Sequence, residues 1–427
     1  MEDKKPSQEF KDFIQEHLNS DPINLRLNLK QKNYSFNLND AITQIECRQK
    51  TFTKLKEFIS SSDFLFPDLI SAEQASHQAV AKFHASFLNK EDTVLDMTAG
   101  LGIDALTIAM NTKEVIALDI DENKSKILVH NARILNIDNL NVECRDSILF
   151  LQEGNHKFDV IFIDPSRRGQ DNQRLYNLRH CSPDVLSHQD LLLSKSDRIL
   201  IKASPLLDLT QTIKDLSNII SISAIGVKGE CKELLIELSN KSDNSKKITL
   251  NAINLDNDGN IISFFNDYKN LEFLSSENIE KLENNNSHTL PIFSITLQEL
   301  ENNLSDSEII SSYYILEPSA MIMKLAPWDA ISIKYNAQKL GKSSNIFITD
   351  ALPKEFPGRV SRIIKIIKKQ DRKSLNGFPA SVVSRNHPLS SQEIRKSLKL
   401  KEGDKYFIYA SRFEDTPVIF LSESISG

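Results

Sequence analysis

Four aspartates carry most of the chemistry legible in this chain: Asp96, Asp119, Asp146 and Asp164, each at or just past the end of a short β-branched run. A carboxylate at such a strand end accepts hydrogen bonds from ligand hydroxyls and amino groups. Asp119 follows Asp96 by 23 residues, the place where an acidic side chain meets both hydroxyls of a ribose. Asp146 stands where a carboxylate accepts from an adenine amino group. Between the first two lies Thr98-Ala99-Gly100-Leu101-Gly102. Without a Cβ, the backbone at Gly100 and Gly102 turns sharply and approaches a ligand closely. The N–H groups of the helix expected from about Ile103 then meet its polar atoms. A lone G-x-G also occurs in ordinary strand–helix turns, and any single Asp could be a helix cap. Four acidic strand ends in succession are poorly explained that way, and they point to a nucleoside-bearing cofactor. The third glycine of a dinucleotide loop is missing, which argues against NAD.

The elements that must position these residues follow from periodicity. The runs Thr93–Asp96, Val115–Asp119, Asn141–Glu143, Val160–Asp164 and Arg198–Ala203 alternate with helical stretches, the pattern of a doubly wound parallel sheet. Ile220–Val227 and Cys231–Leu238, joined at Lys228-Gly229-Glu230, read as a hairpin that ends the sheet with an antiparallel strand. Residues 1–89 read as helical, with long stretches over Leu38–Ile59 and Ala72–Leu88 and a loop around Phe64, Phe66 and Pro67. The polar segment Lys241–Lys246 is read as a domain boundary. Beyond it a small α+β domain is expected over 247–320, with a hairpin turn at Asn257-Asp258-Gly259-Asn260. A second one follows over 321–427, with helices at Asp329–Leu340 and Ser390–Leu398 and strands at Asn345–Thr349, Lys405–Tyr409 and Pro417–Leu421. The fold class is thus α/β: a Rossmann-like core with a helical N-terminal region and small α+β C-terminal domains.

This ordered set, over about residues 90–240, resembles the class I S-adenosylmethionine (SAM)-dependent methyltransferase family. The resemblance implies a seven-stranded sheet with its last strand antiparallel. It implies that Asp96 and the loop Thr98, Ala99, Gly100, Gly102 hold the methionine end of SAM. Asp119 would hold the ribose, and Asp146 with the Ser147 backbone the adenine. The fourth-strand loop, Asp164-Pro165-Ser166-Arg167-Arg168-Gly169, would face the donor methyl, with Asp164 the best-placed carboxylate. Amino-group methyltransferases of nucleic acids carry Asp/Asn-Pro-Pro and a stacking aromatic, and this chain has Ser166 and Arg167 in those places. The loop looks more like the Asp-Pro-Pro-Arg-x-Gly of RNA uracil-C5 methyltransferases. Those need a cysteine after the fifth strand, where this chain reads Lys202-Ala203-Ser204-Pro205-Leu206-Leu207-Asp208. Both routes are disfavoured.

Arg167 and Arg168 read either as surface ion-pair partners or as a grip on a substrate phosphate or carboxylate. Lys202 reads as a strand-end structural residue or a cleft-edge ammonium. Ser71 reads as a helix N-cap with Gln74 completing the capping box, and Gln74 doubles as a substrate contact. His77 and His84, two helical turns apart, read as surface or core residues rather than metal ligands.

The bulk numbers bound the partners. The four cysteines, 47, 144, 181 and 231, form no C-x-x-C pair, so no metal site is expected and the cytosol is the expected compartment. No apolar run reaches membrane-spanning length. The net charge of −6 hides a basic end: Met321–Gly427 holds 19 Lys and Arg against 10 Asp and Glu. Arg359, Arg362, Lys365, Lys368, Lys369, Arg372 and Lys373 crowd one stretch, opposed there only by Asp371, which suits phosphate contacts or a solvated face. Glu317-Pro318-Ser319-Ala320, Phe356-Pro357-Gly358-Arg359 and the basic tail, with the SAM core before them, resemble bacterial methyltransferases with a THUMP-like C-terminal domain preceded by a ferredoxin-like one. That resemblance implies structured RNA as partner, tRNA or rRNA. Methyl transfer to a small molecule or protein, and a non-catalytic SAM- or RNA-binding module, stay open. Nothing in the sequence sets an oligomeric state.

Overall fold

The β-branched runs do become strands, and the glycine loop does open a helix. The computed structural model describes residues 6–28, 34–167, 178–241, 247–270, 293–305 and 313–425, in two units, Met1–Ile262 and Ser263–Gly427. In the first unit the strands are β1 (Thr93–Asp96), β2 (Glu114–Asp119), β3 (Leu140–Cys144), β4 (Phe158–Ile163), β5 (Ser196–Ala203), β6 (Ile219–Val227), β7 (Glu230–Ser239) and β8 (Lys247–Leu255). They lie in the order β8-β6-β7-β5-β4-β1-β2-β3. Strands β1 to β5 are mutually parallel, and β7 is antiparallel to both β5 and β6. Parallel order with helices between puts the carboxyl ends of β1, β2 and β4 on one edge, where this fold binds ligands. The strands are buried along most of their length; Val94, Leu95, Val160, Ile161 and Ile199 are all at or near zero exposure, as a sheet covered on both faces requires.

The N-terminal helices are shorter than their apolar spacing predicts. The first long stretch is a helix only over Leu38–Thr51. There Arg48, itself buried, donates to the carbonyls of Ile59, Ser62 and Phe64 at 2.7 to 3.0 Å and folds the following segment back across the helix. The second stretch breaks into Leu69–Gln74 and Gln78–Ala85. Its N-cap is Asp68, whose carboxylate accepts the Ser71 N–H, so the expected Ser71 capping box does not form. His77 caps the second piece by accepting the Ala79 N–H at 3.1 Å. The break frees Ser76 from helical constraint, with consequences for the site.

The boundary expected at 241–246 is corrected in part. Strand β8 adds to the first sheet, in parallel register with β6 from Thr249↔Ser221 to Leu255↔Val227, so it does not begin a separate domain. A polar linker followed by an apolar run reads the same whether that run starts a new core or extends the old one. The unit boundary falls later, inside β9 (Ile261–Asn270).

In the second unit β10 (Tyr314–Pro318), β11 (Gln338–Gly341), β12 (Ser344–Thr349), β13 (Gly358–Ile366), β14 (Ser381–Ser384), β15 (Tyr406–Phe413) and β16 (Thr416–Ser424) form one sheet, ordered β11-β12-β10-β13-β16-β15-β14. The helix expected over Asp329–Leu340 stops at Lys334, and its last part is β11. The basic stretch is an extended strand, β13, whose Val360, Ser361 and Ile363 are buried. Among the described residues no helix is long and apolar enough to cross a membrane.

Candidate cofactor-binding site

At the carboxyl edge of the first sheet lies a cleft of about 1300 Å³, large enough for a cofactor and part of a substrate. Asp96, Thr98, Ala99, Gly100, Gly102, Asp119, Asp146, Ser147, Asp164, Pro165, Gln74 and Lys202 all line it. The residues expected to hold the cofactor are therefore brought to one place, with Pro165 and the expected substrate contacts Gln74 and Lys202 beside them. Arg168 lies outside the described residues; Arg167 is described only as backbone, in a two-residue strand paired with Cys181–Ser182.

The loop after β1 takes its shape from two left-handed glycines, Gly100 at φ +56 and Gly102 at φ +88. A Cβ at Gly102 would also crowd Leu128, standing 2.2 Å from its Cδ1, so a larger residue there would have to push that side chain aside as well as adopt the left-handed backbone. The loop is then locked across the sheet: Gly100 N–H donates to Asp119 Oδ2 at 2.9 Å. The other oxygen, Oδ1, accepts the Asp121 N–H at 2.8 Å. Asp119 is thus held rigidly at the cleft wall, its remaining lone pairs available to a ligand. Asp146 is fixed in the same way, capping the helix Ser147–Glu153 by accepting the N–H groups of Ile148 and Leu149 at 2.9 Å. The capping and ligand-binding readings of this residue are compatible, because one oxygen serves the cap.

Asp96 is nearly sealed from solvent and accepts the Thr98 N–H at 2.9 Å. Burial pushes its carboxyl up to about 8, with the nearby Asp104 and Asp164 adding to the rise. Thr98 in turn accepts the Asp164 N–H through Oγ1 at 2.7 Å, tying the loop after β1 to the loop after β4.

A buried ionic network behind the cleft was not read from the sequence. Lys202 Nζ donates to Asp164 Oδ2 at 2.6 Å and to Ser76 Oγ at 2.8 Å, with Asp104 at 3.7 Å and Glu233 at 3.9 Å. His84, fully buried, bridges Asp104 at 2.8 Å and Glu233 at 2.5 Å through its two ring nitrogens. Ser76 also bonds Asp104. Burial works against each charge here, but the mutual attractions outweigh it. They hold His84 up to about 10, the Lys202 ammonium above its ordinary range and Asp104 below the usual carboxylate range. The signal available in the sequence was polarity out of place: Asp104 in the apolar helix Ile103–Ala109, and Glu233 in the apolar strand β7. Of the two readings of Lys202, the structure combines both, since it is buried and still touches the cleft. His84 is a core residue, as expected, and Gln74 is an exposed residue on the cleft rim. Cys181 reaches the cleft wall from the strand that pairs with Ser166–Arg167, a placement no spacing rule suggested.

The basic residues predicted to grip RNA are mostly engaged. Arg359 pairs with Glu317 at 2.7 Å, Arg362 with Glu423 at 2.7 Å, Lys365 with Asp371 at 2.9 Å and Lys368 with Glu301 at 3.1 Å. Arg359 also stacks over Phe407, its guanidinium carbon 4.1 Å from the ring centre. Lys369 is exposed and makes no salt bridge among the described residues.

Known proteins place these features in context. Residues 91–241 match the RNA cap guanine-N2 methyltransferase family, 314–357 a ferredoxin-like domain and 358–424 a THUMP-like domain. The ferredoxin-like match thus lies later than the 247–320 expected, and its strand β10 pairs with β13 of the THUMP-like part within one sheet. A solved structure of a candidate methyltransferase from Porphyromonas gingivalis W83 shares the fold over 98% of both chains, with a TM-score of 0.78 at 22% identity. An uncharacterized RNA methyltransferase of Mycoplasma mobile is 27% identical over 150 residues, 34% of this chain and 40% of that protein. The 23S rRNA (uracil(747)-C(5))-methyltransferase of Vibrio vulnificus is 30% identical over 101 residues, 22% of this chain and 27% of that one. The chain therefore spans less than half the length of these curated relatives. The chain thus has a core of the methyltransferase type over 91–241, followed by a segment that matches a ferredoxin-like domain and one that matches a THUMP-like domain.

Proposed function

We propose that the protein transfers a methyl group from SAM to structured RNA. The donor half rests on the geometry of Asp119: locked by the Gly100 N–H on one side and the Asp121 N–H on the other, it presents a rigid acceptor to the two ribose hydroxyls. Asp146 and the Ser147 N–H would take the adenine, and the Asp96–Gly102 loop the methionine end. The residues suit the group, since the cleft is lined by backbone donors and carboxylates and a sulfonium is a cation. SAM supplies an already activated methyl, so the chain has chiefly to position the acceptor and keep water out. Asp164, held from both ends by Thr98 and Lys202, has Oδ1 without a hydrogen-bond partner among the described residues and would orient the acceptor beside the donor. The acceptor half rests on the RNA methyltransferase match over 91–241 and the THUMP-like match over 358–424.

The test is calorimetric SAM binding together with tritiated-methyl transfer into RNA, protein and metabolite fractions of a deletion strain. Asp119→Ala should weaken SAM binding about 10- to 100-fold, as expected for losing about 1.5–3 kcal/mol of hydrogen bonds to a charged group. Label should enter RNA. Label in protein or metabolites alone would overturn the RNA assignment, and undiminished SAM binding by the variant would overturn the donor site.

A further inference from the structure

We propose that the second unit meets the RNA phosphate backbone through the two loops carrying Lys373, Lys399 and Lys401, and not through the basic strand β13. The inference rests on RNA being the substrate and names the surface that would hold it. On β13 and just beyond, each of Arg359, Arg362, Lys365 and Lys368 already has a carboxylate partner. A cation so paired has much of its charge offset by the neighbouring carboxylate, which weakens its pull on a phosphate. The next cations differ. Lys369, Arg372 and Lys373, in the short 3-10 turn Lys369–Lys373, are exposed and have no carboxylate within salt-bridge distance among the described residues. Asp371, the acid among them, is spent on Lys365 Nζ and the Lys368 N–H.

Folding brings a second set of cations beside them. The Gly377 N–H donates to the Lys399 carbonyl at 2.9 Å, the Lys401 N–H to Phe378 at 3.0 Å and the Ala380 N–H to Lys401 at 3.1 Å. Beneath, Ile367, Leu375, Ala380, Ile394, Leu398 and Leu400 share one buried cluster, so the two loops ride on a common base. A Cβ at Gly377 would lie 4.0 Å from Lys401 Cε, which puts that side chain over the first loop. Lys396, Lys399 and Lys401 are exposed; the acids near them in the chain are Glu393, which accepts from Ser390, and the exposed Glu402 and Asp404, and none is within salt-bridge distance of these lysines among the described residues. Lys396 and Lys399 also suit the C-terminal end of the helix Ser391–Leu398, whose dipole favours cations. That reason does not extend to Lys369, Arg372, Lys373 or Lys401, which lie off the helix.

Ligand chemistry follows from what the patch holds. It offers several ammonium groups without a salt-bridge partner among the described residues, on a firm base, while its aromatics, Phe378 and Tyr406, are half-buried against each other with ring centres 5.0 Å apart. Cations without an exposed stacking ring fit phosphates rather than bases, so contact here would position RNA without reading its sequence.

Lys399 also supplies a clean variant. Its φ of +52 is the left-handed conformation that glycine adopts freely, so Lys399→Gly removes the charge and relaxes the backbone together. The experiment uses full-length protein and bulk tRNA as probe, with fluorescence-anisotropy titrations at several salt concentrations. Lys373→Ser/Lys399→Gly/Lys401→Ser should lose at least tenfold in affinity at moderate salt. Its log–log salt slope should fall by about 2 to 3, at roughly 0.7–0.9 for each of the three phosphate contacts removed. Its thermal midpoint should stay close to that of the unaltered protein. Arg362→Gln, which removes an already paired cation, should bind within about twofold. Unchanged binding by the triple variant, or a greater loss in Arg362→Gln, overturns the surface while leaving the RNA reading intact. If the unaltered protein binds no tRNA, or binds polyglutamate as tightly, the RNA reading fails and this surface falls with it.

Discussion

The cleft at the carboxyl edge of the first sheet and the sheet of the second unit both gather charge, and they treat it in opposite ways. Behind the cleft, Lys202, His84, Asp104 and Glu233 are withdrawn from water and satisfied by one another, and Lys202 holds the Asp164 carboxylate at 2.6 Å. On β13 the cations are at the surface, and each found a partner in a neighbouring strand or turn; Arg362 reaches Glu423 across the β13–β16 pairing. The difference teaches that a run of like charge along the chain is not a patch of like charge on the molecule. What a cation can do depends on the carboxylates the fold brings to it. In the cleft those carboxylates create a rigid site; on the sheet they remove one.

The largest expected effect tests the cleft side of this contrast. Glu233→Gln takes one carboxylate from a fully buried, charged His84 and should cost about 3–5 kcal/mol of stability in urea denaturation. A loss under about 1 kcal/mol would mean that the network is not holding charge. The same histidine makes a pH prediction of intermediate size. Its charged form is favoured by folding, because its value rises to about 10 from an ordinary one near 6.5. Its contribution is therefore complete below about pH 6.5 and is lost as the pH climbs through about 10. Stability should decline across that window by up to about 1.4 kcal/mol per pH unit, and the decline should shrink in His84→Gln. Identical pH profiles for the two proteins would sink the assignment of a charged His84. The smallest effect belongs to the sheet. Arg362→Gln breaks an exposed pair, which contributes little in high dielectric, so its urea midpoint should match that of the unaltered protein. A clear drop would make the strand pairs more than surface neutralisation.

Much of the cleft's architecture was legible because its determinants are local. Gly100 and Gly102 are there for backbone conformation, and the aspartates mark strand ends, so both announce themselves over a few residues. The helix boundaries were less legible where a distant group decided them: Arg48 bends back the chain after Thr51, and the break at Ala75–His77 has its use in placing Ser76 against Lys202. β8 was misassigned because an apolar run does not say which sheet it will join.

By itself, then, the sequence determined the order of strands and helices, the left-handed loop and the acidic edge, since each follows from steric and hydrogen-bonding preferences acting over one turn or one strand. Only the tertiary structure decided which charges meet. Lys202 lies 126 residues from Ser76, and His84 149 from Glu233. Electrostatic energy falls with distance in space and rises with burial, and neither quantity is written along the chain.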